Sequence, residues 1–125
     1  QRCGLAQRPL DLTEGYPKGR GQSGVPIGSF QAGKHHLANA RIALEFARPL
    51  VYRAAVTVDP VHACMAKLKA DEAALTAAKA ALQCHGAIGY TTEYDLHLYL
   101  KRSWVLARSM GIARLHLDRV ADVIL

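Results

Sequence analysis

An all-α fold, arranged as an antiparallel four-helix bundle, is the class this sequence predicts, and three observations carry it. Hydrophobic residues make up 50% of the 125-residue chain and aromatics only 6%. Alanine and leucine fill most apolar positions, a balance that favours helix over strand. Apolar residues also recur at alternating steps of three and four along separate stretches, which draws a stripe on a helix each time. The connections between those stretches are short, as antiparallel neighbours require. A chain of this length builds one core, so it reads as a single domain, with an irregular or partly ordered lead-in over 1–29 and the bundle over 30–125.

Taken in order, Leu5, Leu10 and Leu12 form a short apolar stretch interrupted by Pro9 and closed by Gly15 and Pro17, which reads as the frayed end of a helix. The segment KGRGQSGVPIGS from Lys18 to Ser29 concentrates Gly, Pro and Ser and is predicted to be a loop. Between Phe30 and Val58, residues Leu37, Ala40, Leu44, Ala47, Val51, Ala54 and Val58 line one face of a long helix, and Pro49 inside it predicts a bend near Glu45 to Pro49. Asp59 followed by Pro60 reads as an N-cap and the first residue of the next helix. Met65, Leu68, Leu75, Ala78 and Leu82 carry that helix to about His85, where Gly86 stops it; Asp71 and Glu72 are the polar interruption on this face. After the turn GAIGYTT a third amphipathic segment starts near Glu93, with Leu96, Leu100, Trp104 and Ala107 inward and Lys101, Arg102 and Arg108 outward. Leu106, Met110, Ala113, Leu117, Val120 and Ile124 continue the stripe, and Gly111 is placed to split it into two helices.

Composition narrows function by exclusion. No apolar run approaches the roughly 20 residues of a membrane span, and residues 1–30 lack the greasy core of a signal peptide, so no membrane association and a cytoplasmic location are expected. Cys3, Cys64 and Cys84 are an odd number without paired metal spacing, which favours free thiols over a disulfide framework or zinc site. His35 and His36 are adjacent and point to different helix faces, while His62, His85, His97 and His116 lack the i, i+4 pairing of helical metal sites, so no metal is expected. The formal charge of +6 comes from Lys and Arg spread along the chain without interleaved aromatics, which argues against nucleic acid and leaves a basic face for the phosphates of a nucleotide cofactor or coenzyme. No serine sits in a nucleophile elbow and no carboxylate pair stands out for acid and base work. Two stretches remain: KGRGQSG, where Arg20 lies among glycines that admit a phosphate, and QCHGAIGYTTEY, where Gln83 and His85 end a helix ahead of two glycines. On their own these read as a solvated loop and a helix stop.

In context they carry more. The string GVPIGSFQAGKHHLANARIALEFARPLVYRAA resembles the acyl-CoA dehydrogenase family, whose third domain has an Arg-x-Gln-Phe-Gly loop followed by a Phe-Gln helix start. QCHGAIGYTTEYDLHLYLKR is similar to the family's Gln-x-x-Gly-Gly-x-Gly-Tyr turn and the helix after it. The resemblance covers essentially the whole chain and corresponds to the last third of a full-length member. It implies the carboxy-terminal helical domain of a flavoprotein that performs α,β-dehydrogenation of acyl-CoA thioesters, with FAD lying between domains and across a subunit interface. By motif, Arg20 would meet the FAD pyrophosphate, Gln22 would bond near it, and Phe30 and Gln31 would border the adenosine portion. Gln83, Gly86 and Ala87 would hold the cofactor of a neighbouring subunit. An arginine neutralises phosphate charge, and small residues let backbone approach the cofactor.

The departures from the family pattern define a second expectation. Ser23 stands where the family's loop has phenylalanine, and Ala87 stands at the second glycine of the turn. Continuing the match without gaps puts Lys101 and Arg102 on the family's Arg-Asp pair, and Met110, Gly111 and Ile112 on its Glu-Gly-Thr. The glutamate that removes the α-proton is therefore Met110 here, and a thioether cannot do that work. The expectation is a non-catalytic, FAD-associated subunit that forms a homo-oligomer, or a hetero-oligomer with a catalytic homologue through which acyl-CoA is met. A flavin-free helical interaction or oligomerisation domain, and a fragment of a longer enzyme whose base lies upstream, are the alternatives.

Overall fold

The computed structural model describes residues 1–15, 21–22, 25–26, 31–86, 89 and 91–125. Five helices account for almost all of them: α1 (Arg2–Gly15), α2 (Gln31–Thr57), α3 (Pro60–His85), α4 (Leu96–Arg108) and α5 (Ala113–Ile124). Inside the expected loop, β1 (Gly21–Gln22) and β2 (Val25–Pro26) pair antiparallel as Gly21 with Pro26 and Gln22 with Val25. The all-α class holds. No helix among the described residues is long and apolar enough to cross a membrane.

Helix α3 is the centre, with α1, α2, α4 and α5 all packed on it. It is able to take neighbours on several sides because its buried residues are small: Ala66, Ala70, Ala73, Ala74, Ala77, Ala78, Ala80 and Ala81. One cluster joins Ala73, Ala77 and Ala80 to Ala6 and Leu10 of α1 and to Ala40, Leu44 and Ala47 of α2. A second joins Ala78, Ala81 and Leu82 to Leu96 and Leu100 of α4. Of the stripe predicted for α3, Ala78 and Leu82 are in the core, whereas Met65, Leu68 and Leu75 are only half-buried and the rest of the buried face runs along the alanines. A helix enclosed on more than one side has no one inward stripe, and residues without long side chains let the axes come close.

The ends of the helices follow local chemistry. Asp59 caps α3, its Oδ1 accepting from the backbone N–H of Val61 at 2.7 Å and of His62 at 3.1 Å, with Pro60 in the first turn where a missing N–H costs nothing. Those two hydrogen bonds, the one from His62 first, hold the Asp59 carboxyl below its usual range. Gly86 ends α3 at φ 62, and its N–H returns to Leu82 O. Helix α2 continues through Pro49 as one element, and Gly111 (φ 96) separates α4 from α5 as the sequence indicates.

Four expectations are corrected. Residues 2–15 of the predicted irregular lead-in form a 14-residue helix that runs through Pro9 and buries Ala6, Pro9, Leu10 and Thr13. Packing against α2 and α3 outweighs the backbone bond that proline removes, and the Thr13 hydroxyl donates to Pro9 O at 2.6 Å. Trp104, expected inward, is 47% exposed, with Ser103 buried beside it. The stripe through α5 is likewise displaced: Leu117 and Ile124 are exposed, and the buried residue is His116. Val58 does not extend the α2 stripe either. It lies in the two-residue link to α3 at φ 51, largely exposed.

One ionic cluster ties α1, α3 and α4 together. Arg2 Nε pairs with Asp71 Oδ1, and its Nη2 donates to Leu106 O at 2.8 Å and Ser109 Oγ at 3.2 Å. Lys67 Nζ donates to Asp71 Oδ2 at 2.5 Å and reaches Ala107 O at 3.4 Å. Two cations therefore meet the last carbonyls and negative dipole end of α4, and one carboxylate joins them. The polar interruption seen in the α3 sequence is half of this clamp.

Two stability measurements check this account. Asp71→Ala leaves two mostly buried cations without their carboxylate and is expected to cost about 2–4 kcal/mol in urea unfolding. Val58→Asn relieves a β-branched residue in the left-handed region and is expected to stabilise by about 1 kcal/mol, seen as a higher urea midpoint at unchanged slope.

Candidate functional site

Two corners of the bundle carry the residues singled out by sequence. The first is where α2 starts and α3 ends. Cys84 Sγ lies 3.9 Å from Gly33 O, so the first turn of α2 abuts the last turn of α3, and Gln31 and Gln83 come to the same end of the bundle, both exposed. Burial in this contact pushes the Cys84 thiol up. Beneath the corner, His85 is buried and its Nδ1–H donates to Ala81 O at 2.8 Å, while its ring stands 4.8 Å from that of Tyr94. A Cβ on Gly89 would sit 3.0 Å from Leu82 Cδ1 and 3.1 Å from His85 Cβ, so the returning chain fits closely only as glycine. Among the described residues, a Cβ on Gly86 would meet nothing within 4 Å. Lys79, Leu82, Gln83 and Gly86 line an open groove of about 350 Å³ here. Arg20, Phe30 and Ala87 lie outside the described residues; of Gln22, only the backbone, paired in β1, is described.

The second corner is the α4–α5 turn. Met110 stands there at φ 56, 74% exposed, followed by Gly111 at φ 96. A Cβ on Gly111 would come within 2.8 Å of Leu115 Cδ2 and 3.0 Å of His116 Nε2, so no other residue fits this path unchanged. The corner is fixed from both sides. Arg2 and Lys67 hold the α4 carbonyls ahead of it, and His116 Nε2 lies 2.9 Å from Met110 O behind it. Met110 lines a groove of about 740 Å³ with Cys3, Val51, Ala54, Val61 and Cys64 among its other walls.

Sequence reasoning placed Met110 by register and missed what holds it. The Lys67–Asp71 pair has the i, i+4 spacing that a sequence displays, whereas Arg2–Asp71 and Cys64–His116 join residues 69 and 52 positions apart and leave no local signature. The three cysteines are free, as their spacing indicated. His116 and Cys64 meet at 3.2 Å without a third ligand, and no metal-holding group of His, Cys, Asp or Glu occurs among the described residues.

Comparison with known proteins places this geometry. The family model for the acyl-CoA dehydrogenase C-terminal domain matches residues 1–125. Acyl-CoA dehydrogenase IpdE2 of Mycobacterium tuberculosis is 46% identical over 103 residues, covering 82% of this chain and 32% of that protein. Its namesake in Mycolicibacterium smegmatis is 40% identical over 120 residues, 96% of this chain and 39% of the relative. In the glutaryl-coenzyme A dehydrogenase glutaryl-CoA complex, a chain superposes with a TM-score of 0.91 at 32% identity, over 96% of this chain and 32% of that one. The chain thus spans about a third of the length of the relatives it matches, and it belongs to the acyl-CoA dehydrogenase family as that family's C-terminal domain.

Proposed function

We propose that this domain serves as the FAD-facing helical part of an acyl-CoA dehydrogenase-type flavoprotein and does not itself supply the catalytic base, acting as a non-catalytic subunit beside a catalytic homologue in the cytoplasm. The observation that carries the reading is Met110, a thioether held at a fixed corner; continuing the motif resemblance without gaps sets it against the family's proton-abstracting glutamate. Dehydrogenation needs a base for the α-proton together with an acceptor for the β-hydride. FAD, when bound, supplies the acceptor.

The described residues fit the cofactor. The α3 corner offers the Lys79 cation, the exposed Gln83 amide and free space over Gly86, which suits a phosphate-bearing group approached by bare backbone. Gln31 is presented at the same end. In this reading Arg20, Gln22, Phe30 and Gln31 face one FAD, and Gln83, Gly86 and Ala87 face that of a neighbouring subunit. Acyl-CoA is met through the catalytic partner.

Exposed apolar side chains on α2 support assembly. Ile42, Phe46, Tyr52 and Val56 are 53–84% exposed, and Phe46 lines a shallow apolar groove with Ile42, Pro49 and Leu50. Surface of this kind is covered in oligomers.

Two experiments test the proposal. The purified chain, incubated with acyl-CoA thioesters and an artificial electron acceptor, is expected to show no turnover, and Met110→Glu alone is not expected to restore it; turnover by the unaltered chain overturns the reading. Light scattering coupled to size exclusion is expected to show a dimer or larger species, or a complex with a full-length homologue, whose melting temperature rises with FAD and no longer does so in Arg20→Ala. Assembly indifferent to both FAD and Arg20 assigns the chain to the alternative class, a flavin-free interaction domain.

A further inference from the structure

A thiol and an imidazole meet in the wall of the Met110 groove. Cys64 belongs to α3 and His116 to α5, both are buried, and Cys64 Sγ lies 3.2 Å from His116 Nδ1. The other ring nitrogen, Nε2, is 2.9 Å from Met110 O. A carbonyl oxygen only accepts, so Nε2 carries the hydrogen, and in the neutral ring Nδ1 turns its lone pair to the thiol. Cys64 S–H donates into that lone pair. The tautomer is set by a backbone group, so the imidazole is oriented to take the thiol proton: a nucleophile, a base and a third group that aims the base.

Cys3 lines the same groove, and what sets Cys64 apart is the imidazole of His116 against its sulfur. Cys64 and His116 both line the groove of about 740 Å³, whose walls include Val51, Ala54, Val61 and Ala63. Arg2, Lys67 and Arg119 are at the same groove; the donors of the first two are committed to Asp71 and the α4 carbonyls, and Arg119 is exposed to solvent. The apolar side chains that make up most of the lining suit a neutral molecule. Cys84, by contrast, faces only Gly33 O at 3.9 Å, and burial pushes its thiol up.

We propose that Cys64 is a nucleophilic thiol, with His116 as its base, that captures small neutral α,β-unsaturated carbonyl compounds entering the Met110 groove. In the step, Cys64 Sγ bonds to the β-carbon as its proton passes to His116 Nδ1. The carbon–carbon π pair moves to the α-carbon and carbonyl as an enolate, which then takes the proton back from Nδ1. The product is a saturated thioether on Cys64, formed without oxidant, reductant or leaving group. This site is separate from the α3 corner and does not depend on the proposed flavin role.

The three cysteines of one chain make the test internally controlled. The folded chain is treated with limiting N-ethylmaleimide, a neutral α,β-unsaturated imide, and the adducts are timed by peptide mass spectrometry. Cys64 is expected to be labelled first despite its burial, ahead of Cys3 and Cys84. His116→Gln keeps an amide donor for Met110 O and takes up no proton; it is expected to slow labelling of Cys64 about a hundred-fold while leaving Cys3 and Cys84 unchanged. Cys64 reacting last in the native chain, or at an equal rate in His116→Gln, overturns the proposal. Should that variant lose its helical circular dichroism, the order of labelling in the unaltered chain decides.

Discussion

Close approach of helices to α3 is the constraint on which the rest of the molecule depends. Alanines at 73, 77 and 80 admit α1 and α2, and those at 78 and 81 admit α4, so one helix is enclosed by several partners without large side chains between the axes. Each alanine contributes little apolar area, and cohesion comes from the many short contacts that close axes allow. Enlarging any one of them pushes two helices apart rather than filling a void. Because α3 is fixed in this way, its two halves set where the chemistry lies. Gln83 and Gly86 mark one end, and Cys64, Lys67 and Asp71 sit under the Met110 corner. Lys67 and Gln83 are 16 positions apart, roughly 24 Å along the axis, so the two corners are distinct places on the domain.

The parts of the fold legible in the sequence are those decided within a turn or two of chain. Asp59-Pro60 starts a helix because the cap and the fixed φ act on the next three residues, and Gly86 and Gly111 stop helices because their own backbone takes positive φ. What the sequence hid is decided across the molecule. Pro9 looked like a breaker, yet Ala6 and Leu10 find partners on α2 and α3, and tertiary packing overrides the propensity. The stripe on α3 was only half right for the complementary reason: Ala78 and Leu82 are buried, but periodicity marks a single face and α3 has more than one. Trp104 failed for a steric reason as well, since the close α3–α4 contact has room for Leu100 and Ser103 but leaves the indole half in solvent.

The site divides along the same line. The family-like motifs pointed to both corners, because a motif is a local string, and the proposal that Met110 stands at the family's base position rests on continuing that string without gaps. Beyond the i, i+4 spacing of Lys67 and Asp71, the groups that immobilise Met110 were not legible. Arg2 and Lys67 reach the corner from α1 and α3 and His116 from α5 itself, and each is an ordinary residue when read in its own neighbourhood. Long-range hydrogen bonds to backbone carbonyls leave no composition or spacing behind.

That immobilisation bears on the proposal that a methionine stands where the family has its base. A non-glycine residue in the left-handed region costs about 1–2 kcal/mol, and Gly111 continues the same excursion. Such a path persists only when its surroundings over-determine it. Here the α4 carbonyls are gathered by two cations before the turn, and Met110 O accepts from His116 after it, so the backbone conformation is imposed from outside. A glutamate on this frame would have its backbone held in the same way. The thioether instead presents a soft apolar group from a fixed backbone to the groove, able to fill space and exclude water but not to carry a proton. In the proposed reading, the frame serves a shape rather than a proton transfer, and the proton-accepting group beside Met110 in the wall of that groove is His116, whose lone pair faces Cys64.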